Sequence, residues 1–331
     1  MKRAALILFL LSFVLQMPAA HSVTEMDGAY QISHSWSYKS DSWHCNLSIG
    51  KDLYDYYRLR RIHQSNSNNL AGFVLSDFDR ECLRDLVKNF REAGRKSGYS
   101  DYDNVYNVVA FVQSFAYVSD SKSKGQLEYV RYPVETLIDG MGDCEDTSIL
   151  MAAILNEMGY GVVLLSMPNH LALGVKGDHT LNGSYFVYGN ERYYYLETTD
   201  KGWALGEIPK QYARSDVRVI PLDYFPQLVL KSYELQSEDY DAYSAVFRIN
   251  CKIENAGPGS AHNPFLHVMA KTGNTMLAEQ FFDFDTIDEG VSGEVVVRIR
   301  VPRANRVVFE LQCAADGVSS NALQSRVLDL R

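Results

Sequence analysis

Apolar residues fall at helical spacing in three stretches of the first half of the chain and at strand spacing through most of the second. Leu83, Leu86, Val87 and Phe90 form one face of a helix that Ser76-x-x-Asp79 opens and Gly94 or Gly98 stops. Val105, Val108, Val109, Val112 and Phe115 stripe a second helix between Asp103 and Tyr117. A third runs from Cys144 through the apolar stretch Ser148 to Met158 and ends at Gly159. Ahead of these, Ile32 to Leu53 alternates as one or two strands, and the polar segment Ser119 to Pro133 reads as a surface loop. After the third helix come short strand-like runs: Val162–Leu165, Leu171–Val175, Tyr185–Tyr188 and Tyr193–Thr198. Gly189-Asn190-Glu191 is a hairpin signal between the last two. One helix on successive antiparallel strands predicts an α+β arrangement.

From about Leu228 helical periodicity disappears. Ala245–Ile253, Phe265–Ala270, Glu279–Phe284, Glu294–Val301 and Val307–Cys313 recur as short strands between turn clusters such as Asn255-Ala-Gly-Pro-Gly-Ser260. This regular spacing predicts a β-sandwich of immunoglobulin or fibronectin type over 228–331, with Pro221–Gln227 as the junction. The expected division is a leader over 1–22, strands and a helix packing on the core over 23–98, a catalytic domain over 99–224, and the sandwich.

The leader rests on Lys2 and Arg3, the apolar run Ala4–Val14, and the small-x-small segment Ala20-His-Ser22. It predicts a secreted, periplasmic or cell-envelope protein with no membrane span in the mature chain; an uncleaved N-terminal anchor is the alternative. The formal charge is −9, and losing the basic leader makes it more acidic, which argues against nucleic acid as a partner. Export permits disulfides. Cys251 with Cys313, and Cys45 with Cys82, are candidate pairs among the five cysteines, leaving Cys144 unpaired; four buried free thiols are the other reading.

Cys144 stands in the first turn of its helix, within Met141-Gly-Asp-Cys-Glu-Asp-Thr147. Unpaired N–H groups and the helix dipole favour negative charge there, and the thiolate is the reactive form, so Cys144 is a candidate nucleophile with a lowered pKa. Such a nucleophile needs a base and a group to orient the base. His170 opens the strand Leu171–Val175 and shares a face with Ala172 and Gly174; Tyr193, Tyr195 and Glu197 share a face of a later strand, from which Glu197 can orient the imidazole. The Cys144 N–H is one oxyanion donor and Gln113, on the preceding helix, the candidate second. Asp143 and Asp146 read as the helix N-cap and a carboxylate favoured by the dipole. Gly140 and Gly142 give open backbone beside the thiol, or serve only the turn. No metal-ligand spacing and no phosphate-cradling loop occurs, so the expectation is of no metal and no cofactor.

Gly142-Asp-Cys-Glu-Asp146, the His170 strand and the strand end Leu196-Glu-Thr-Thr199 together resemble the transglutaminase-like superfamily, over about Asp101 to Pro209. The resemblance implies a papain-like α+β core in an exported member of bacterial type, with Cys144, His170 and Glu197 as catalytic residues in that chain order. That family more often carries Asp at the third position. The implied activity is that of a cysteine peptidase or amidase, if water resolves the thioester, or of an acyl transferase, if an amine does. The substrate would be protein or peptide amides. The alternative is a non-catalytic binding or assembly module of the cell envelope, with an envelope-protein partner on the β-sandwich.

Overall fold

The computed structural model describes residues 20–59, 70–223, 225–316 and 318–330. Strands β1 (Ala20–Met26), β2 (Ala29–Tyr38) and β3 (Asp41–Gly50) form an antiparallel meander. Helices α1 (Lys51–Leu59), α2 (Leu70–Val74), α3 (Arg80–Ser97) and α4 (Asp101–Val112) follow. Strand β4 (Ala116–Tyr117), short helices α5 (Asp120–Ser123) and α6 (Pro133–Asp139), and strand β5 (Met141–Gly142) lead into α7 (Cys144–Glu157). Strands β6 (Val162–Met167), β7 (His170–Gly177), β8 (Tyr185–Tyr188), β9 (Glu191–Leu196) and β10 (Arg218–Pro221) make an antiparallel sheet in the order β10-β6-β7-β9-β8. The C-terminal part holds β11 (Leu228–Tyr240), β12 (Ser244–Asn255), β13 (Phe265–Thr272), β14 (Thr275–Asp283), β15 (Ser292–Pro302), β16 (Val307–Ala315) and β17 (Val318–Gln324). These form two antiparallel sheets, β11-β12-β15 and β14-β13-β16-β17.

Strand makes up 44% of the structure and helix 23%, so the chain is mostly β, with several separate antiparallel sheets. This corrects the expected α+β class with a papain-like core. Helical periodicity in the first half concealed how much of the chain is extended: the N-terminal meander alone adds three strands. Helix α7 is also buried around its whole circumference, every residue from Asp146 to Leu155 included, and apolar from Ile149 to Leu155. Such a helix is enclosed rather than laid on one sheet face. It is surrounded by α2, α3, α4, α6, β6 and β7.

Two large hydrophobic clusters divide the chain. One joins Ile32 and Trp36 of β2, Leu86 and Phe90 of α3, Val108 and Phe111 of α4, Ile149 to Leu155 of α7, and Leu171 and Leu173 of β7. The second lies between the C-terminal sheets, with Phe247, Ile249, Leu266, Phe309 and Leu311 at its centre. A smaller cluster covers the other face of the β6–β7–β9 sheet, through Leu165, Ala172 and Tyr195. Among the described residues no helix is long and apolar enough to cross a membrane.

The expected leader through residue 19 lies outside the described residues. Its expected cleavage segment, Ala20-His-Ser22, forms the first residues of β1, paired with Ser35, His34 and Ser33. All five cysteines are free thiols, so neither expected pairing is made. Cys251 and Cys313 are both fully buried in the C-terminal cluster. An odd cysteine count therefore does not distinguish Cys144; its position does.

Candidate active site

Helix α6 ends in Gly140 with left-handed backbone, φ 65°. A side chain there would collide with the ring of His21, which packs on the turn and meets the Ile138 carbonyl through Nε2 at 3.4 Å. Next, β5 pairs in parallel with β4, setting Gly142 beside Tyr117. A Cβ on Gly142 would strike the Asp146 side chain. The Asp143 N–H donates to Asp146 Oδ2 at 3.2 Å, which caps the first turn of α7 from within. Both glycines thus serve the turn and its close packing, and they deliver Cys144 as the first residue of the helix.

Asp146 is held in turn by Arg131, a fully buried arginine. The Arg131 N–H donates to Asp146 Oδ1 at 2.7 Å and its guanidinium bonds Asp146 Oδ2. The same guanidinium reaches Asp120 and Asp139, each at 3.0 Å, and Ser123 Oγ at 2.7 Å. Lys124 adds a second cation at 2.7 Å from Asp139. Burial works against the guanidinium charge, but the carboxylates of Asp146 and Asp139 outweigh it and keep Arg131 protonated. The expected surface loop over Ser119 to Pro133 is therefore corrected in part, since Asp120 and the run Tyr129–Pro133 are buried under the nucleophile's turn.

His170 opens β7 after a turn in which Asn169 takes φ 57°. Its ring stacks on Tyr212 at 4.3 Å with planes 3° apart. Its Nε2 lies 3.2 Å from Glu197 Oε2, just past the end of β9. The buried Glu197 carboxylate also accepts from Tyr195 Oη at 2.7 Å, from the N–H groups of Thr198 and Thr199 at 3.0 and 3.1 Å, and from Thr199 Oγ1 at 2.9 Å. Burial alone would raise its pKa; the hydrogen bonds from His170, Tyr195 and the Thr199 backbone reverse that and lower it to about 2. An ionised carboxylate only accepts, so imidazole Nε2 carries the hydrogen and Nδ1 is left as the basic nitrogen.

The thiol itself departs from the expectation of a lowered pKa. Burial comes first, followed by the Glu145 carboxylate, and together they push the Cys144 thiol well above its ordinary value. Its Sγ donates to Glu145 Oε2 at 2.8 Å. The Leu171 N–H, one peptide beyond His170, is the counter-influence: it faces the sulfur and favours the thiolate. The sulfur thus sits at the start of β7, but no hydrogen bond joins it to the imidazole. The sheet explains this geometry. Leu171 and Leu173 pack toward α7, whereas Ala172, on the His170 side of the alternation, belongs to the cluster on the opposite face. His170 therefore lies on the sheet face opposite α7, at the strand end, where it bonds Glu197.

Gln113, the candidate second oxyanion donor, has a different task. Its Nε2 donates to the carbonyls of Asp200 at 2.8 Å and Glu197 at 3.3 Å, so its N–H groups are committed to holding the segment after β9.

The sequence places Asp143 and Asp146 beside the thiol, where acidic neighbours raise its pKa, but gives no sign of Asp120. Among the described residues Asp120, Asp143 and Asp146 bring three donor atoms within 4.8 Å of one another, as do Asp143, Cys144 and Glu145; these are the side chains able to hold a cation, and Arg131 already contacts two of the first group. A cavity of 860 Å³ between α1 and strands β13–β14 includes none of Cys144, His170 or Glu197 in its lining.

No family model matches the chain, and no curated protein matches it. Among solved structures, the chain is similar to β-glucosidase 3B from Thermotoga neapolitana, solved in complex with α-D-glucose, at 15% identity and a TM-score of 0.18. That likeness covers 31% of this chain and 17% of the glucosidase, and it carries no argument about either fold or function.

Proposed function

We propose that the chain is a cysteine-dependent amide hydrolase or acyl transferase acting on protein or peptide amides, with Cys144 as nucleophile, His170 as base and Glu197 as the group that orients the base. The observation that carries this reading is the His170–Glu197 pair: a carboxylate held by five donors fixes the imidazole tautomer and leaves Nδ1 basic, beside the strand end where the thiol sits. In the reaction Sγ leaves Glu145 and passes its proton to Nδ1. The sulfur attacks the amide carbonyl, a C–S bond forms, and the C–N bond breaks as the imidazolium protonates the departing amine. Water, or an amine in the transferase case, then resolves the thioester. The ordered set Cys144, His170, Glu197 adds its resemblance to the transglutaminase-like superfamily.

The bond from Cys144 to Glu145, and the absence of one to His170, favour a second reading in which the chain binds amides without turning them over. A peptide-amide library, with a fluorescent amine as alternative acceptor, decides between the two. Turnover by the native protein that Cys144→Ala abolishes and His170→Ala lowers at least a hundredfold supports the enzyme. Equal release by native and Cys144→Ala proteins would overturn it.

A further inference from the structure

We infer that the pocket behind Tyr212 is the subsite that receives an uncharged aliphatic or aromatic side chain of the substrate, next to the scissile amide. The inference rests on the assignment of Cys144 and His170 above. Tyr212 belongs to two places at once. One face of its ring stacks on His170, and the residue also lines a cavity of 360 Å³ with Ser184, Phe186, Ile208, Ala213, Ser215 and Val217. No charged residue lines this cavity. Its volume falls within the lower range of ligand pockets, which begin at roughly 300 Å³.

The cavity is joined to the site through the backbone as well. Gly206 N–H donates to the Tyr195 carbonyl at 2.8 Å, Tyr195 N–H donates to the Ser184 carbonyl at 3.1 Å, and Ser184 N–H donates to the Gly206 carbonyl at 2.6 Å. The Tyr195 hydroxyl is a donor to Glu197. One wall of the pocket is β8, which pairs with β9, the strand that ends just before the orienting carboxylate. Gly183, at φ 119°, lies so close to Gly206 that a side chain there would meet its carbonyl oxygen at 2.6 Å. This close approach keeps the wall in register with the site.

The nucleophile's mouth has the opposite character. Tyr117, mostly exposed, lies near enough to Cys144, Asp143, Glu145 and Tyr212 for their charges to add to burial in raising its phenol pKa. A substrate chain crossing the thiol therefore meets carboxylates on one side and a neutral pocket on the other. The uncharged lining beside His170 selects against a charged side chain, and Tyr212 fixes the imidazole plane while forming one wall of the pocket.

Positional scanning of peptide amides against native protein, Ala213→Trp and Ser215→Trp tests this, with the rate of Cys144 alkylation by iodoacetamide as a control that the pocket does not touch. The native protein should prefer Leu or Phe over Asp or Lys at one position by about 10- to 100-fold in kcat/KM, the scale set by burial of one apolar side chain. Both tryptophan variants should erase that preference through KM and leave alkylation unchanged. Peptide turnover without such a preference, or a preference that survives both variants, overturns the inference. Binding of N-acetylphenylalaninamide to full-length Cys144→Ala protein, followed by NMR, separates the two claims. If no amide is turned over but Ala213→Trp abolishes binding, the enzyme reading fails and the pocket stands. Binding unaffected by Ala213→Trp, or absent altogether, removes the pocket.

Discussion

Replacing Glu145 with glutamine removes the charge closest to the nucleophile and leaves its size almost unchanged. In the native protein the Cys144 thiol donates to Glu145 Oε2 at 2.8 Å. Ionising the sulfur would set two negative charges at that separation. Coulomb's law gives about 6 kcal/mol for such a pair at an effective dielectric of about 20, and about 1.5 kcal/mol in bulk water. Glu145 is partly exposed, so the lower part of the range applies. At about 1.4 kcal/mol per tenfold change in an equilibrium, the carboxylate suppresses the thiolate by about ten- to a hundredfold. The helix N-terminus offers only about 0.3–1 kcal/mol in the other direction. Glu145→Gln should therefore move the pH midpoint of Cys144 alkylation down by one to two units. The assay is iodoacetamide labelling between pH 8 and pH 12, with Cys144 followed by peptide mass spectrometry. Cys45, Cys82 and Cys251 serve as internal references, since burial pushes each of their thiols up to about 12. Superimposable profiles for the native and Glu145→Gln proteins would refute the reasoning, because the thiol would then be raised by burial alone.

Folding stability should fall by about 3 kcal/mol between pH 6.5 and pH 4 through His34. Burial, then the charges of His21 and His44, lower its pKa to about 4, so the unfolded chain takes up a proton first; the stability is present above pH 6.5 and lost on acidification, and urea titrations should show a loss about 3 kcal/mol smaller in His34→Gln than in the native protein. Asp146→Asn should cost about 3–5 kcal/mol, since it breaks the buried pair with Arg131, and a loss below 1 kcal/mol in chemical denaturation would contradict the role given to that pair. Gln113→Ala should lower stability by about 1–2 kcal/mol, and any turnover should fall through kcat, not KM, because the segment following Glu197 loses its clamp. Ile149→Ala, at a fully buried position of α7, should cost about 2–5 kcal/mol by urea unfolding.

Much of the local structure was legible because single residues with strong conformational demands set it. Gly189 and Asn190 both take positive φ, 56° and 65°, and so make the turn that joins β8 to β9. The stripe Leu83, Leu86, Val87 and Phe90 is buried on α3. Cys144 opens a helix because Asp143 and Asp146 build its cap and Gly142 leaves room for it. The class was misread where the signal was global: alternation in β2 and β3 is plain, but how many sheets the strands make depends on pairings that no window of sequence contains. The His170–Glu197 contact was readable because both residues lie at strand ends, where face and neighbour follow from alternation. The bonds of Gln113 to the Glu197 and Asp200 carbonyls were not readable, because these partners lie far along the chain and an amide side chain suits either role.

The state of the thiol shows where local reasoning stops. A helix start supplies a fixed partial positive charge, and sequence alone locates it. The opposing influences are the burial of Cys144, the direction in which Glu145 turns, and the nearby carboxylate of Asp143. Each depends on distance through a medium of low dielectric, where a change of 1 Å outweighs the whole helix contribution. Cys144 therefore carries two opposed instructions: the Leu171 N–H stabilises the thiolate and Glu145 forbids it. Any group that draws the Glu145 carboxylate away from the sulfur shifts that balance toward the thiolate. If the Glu145→Gln and native profiles separate as calculated, reactivity at this site is controlled by one side chain's orientation, and the helix that carries the cysteine merely sets the stage for it.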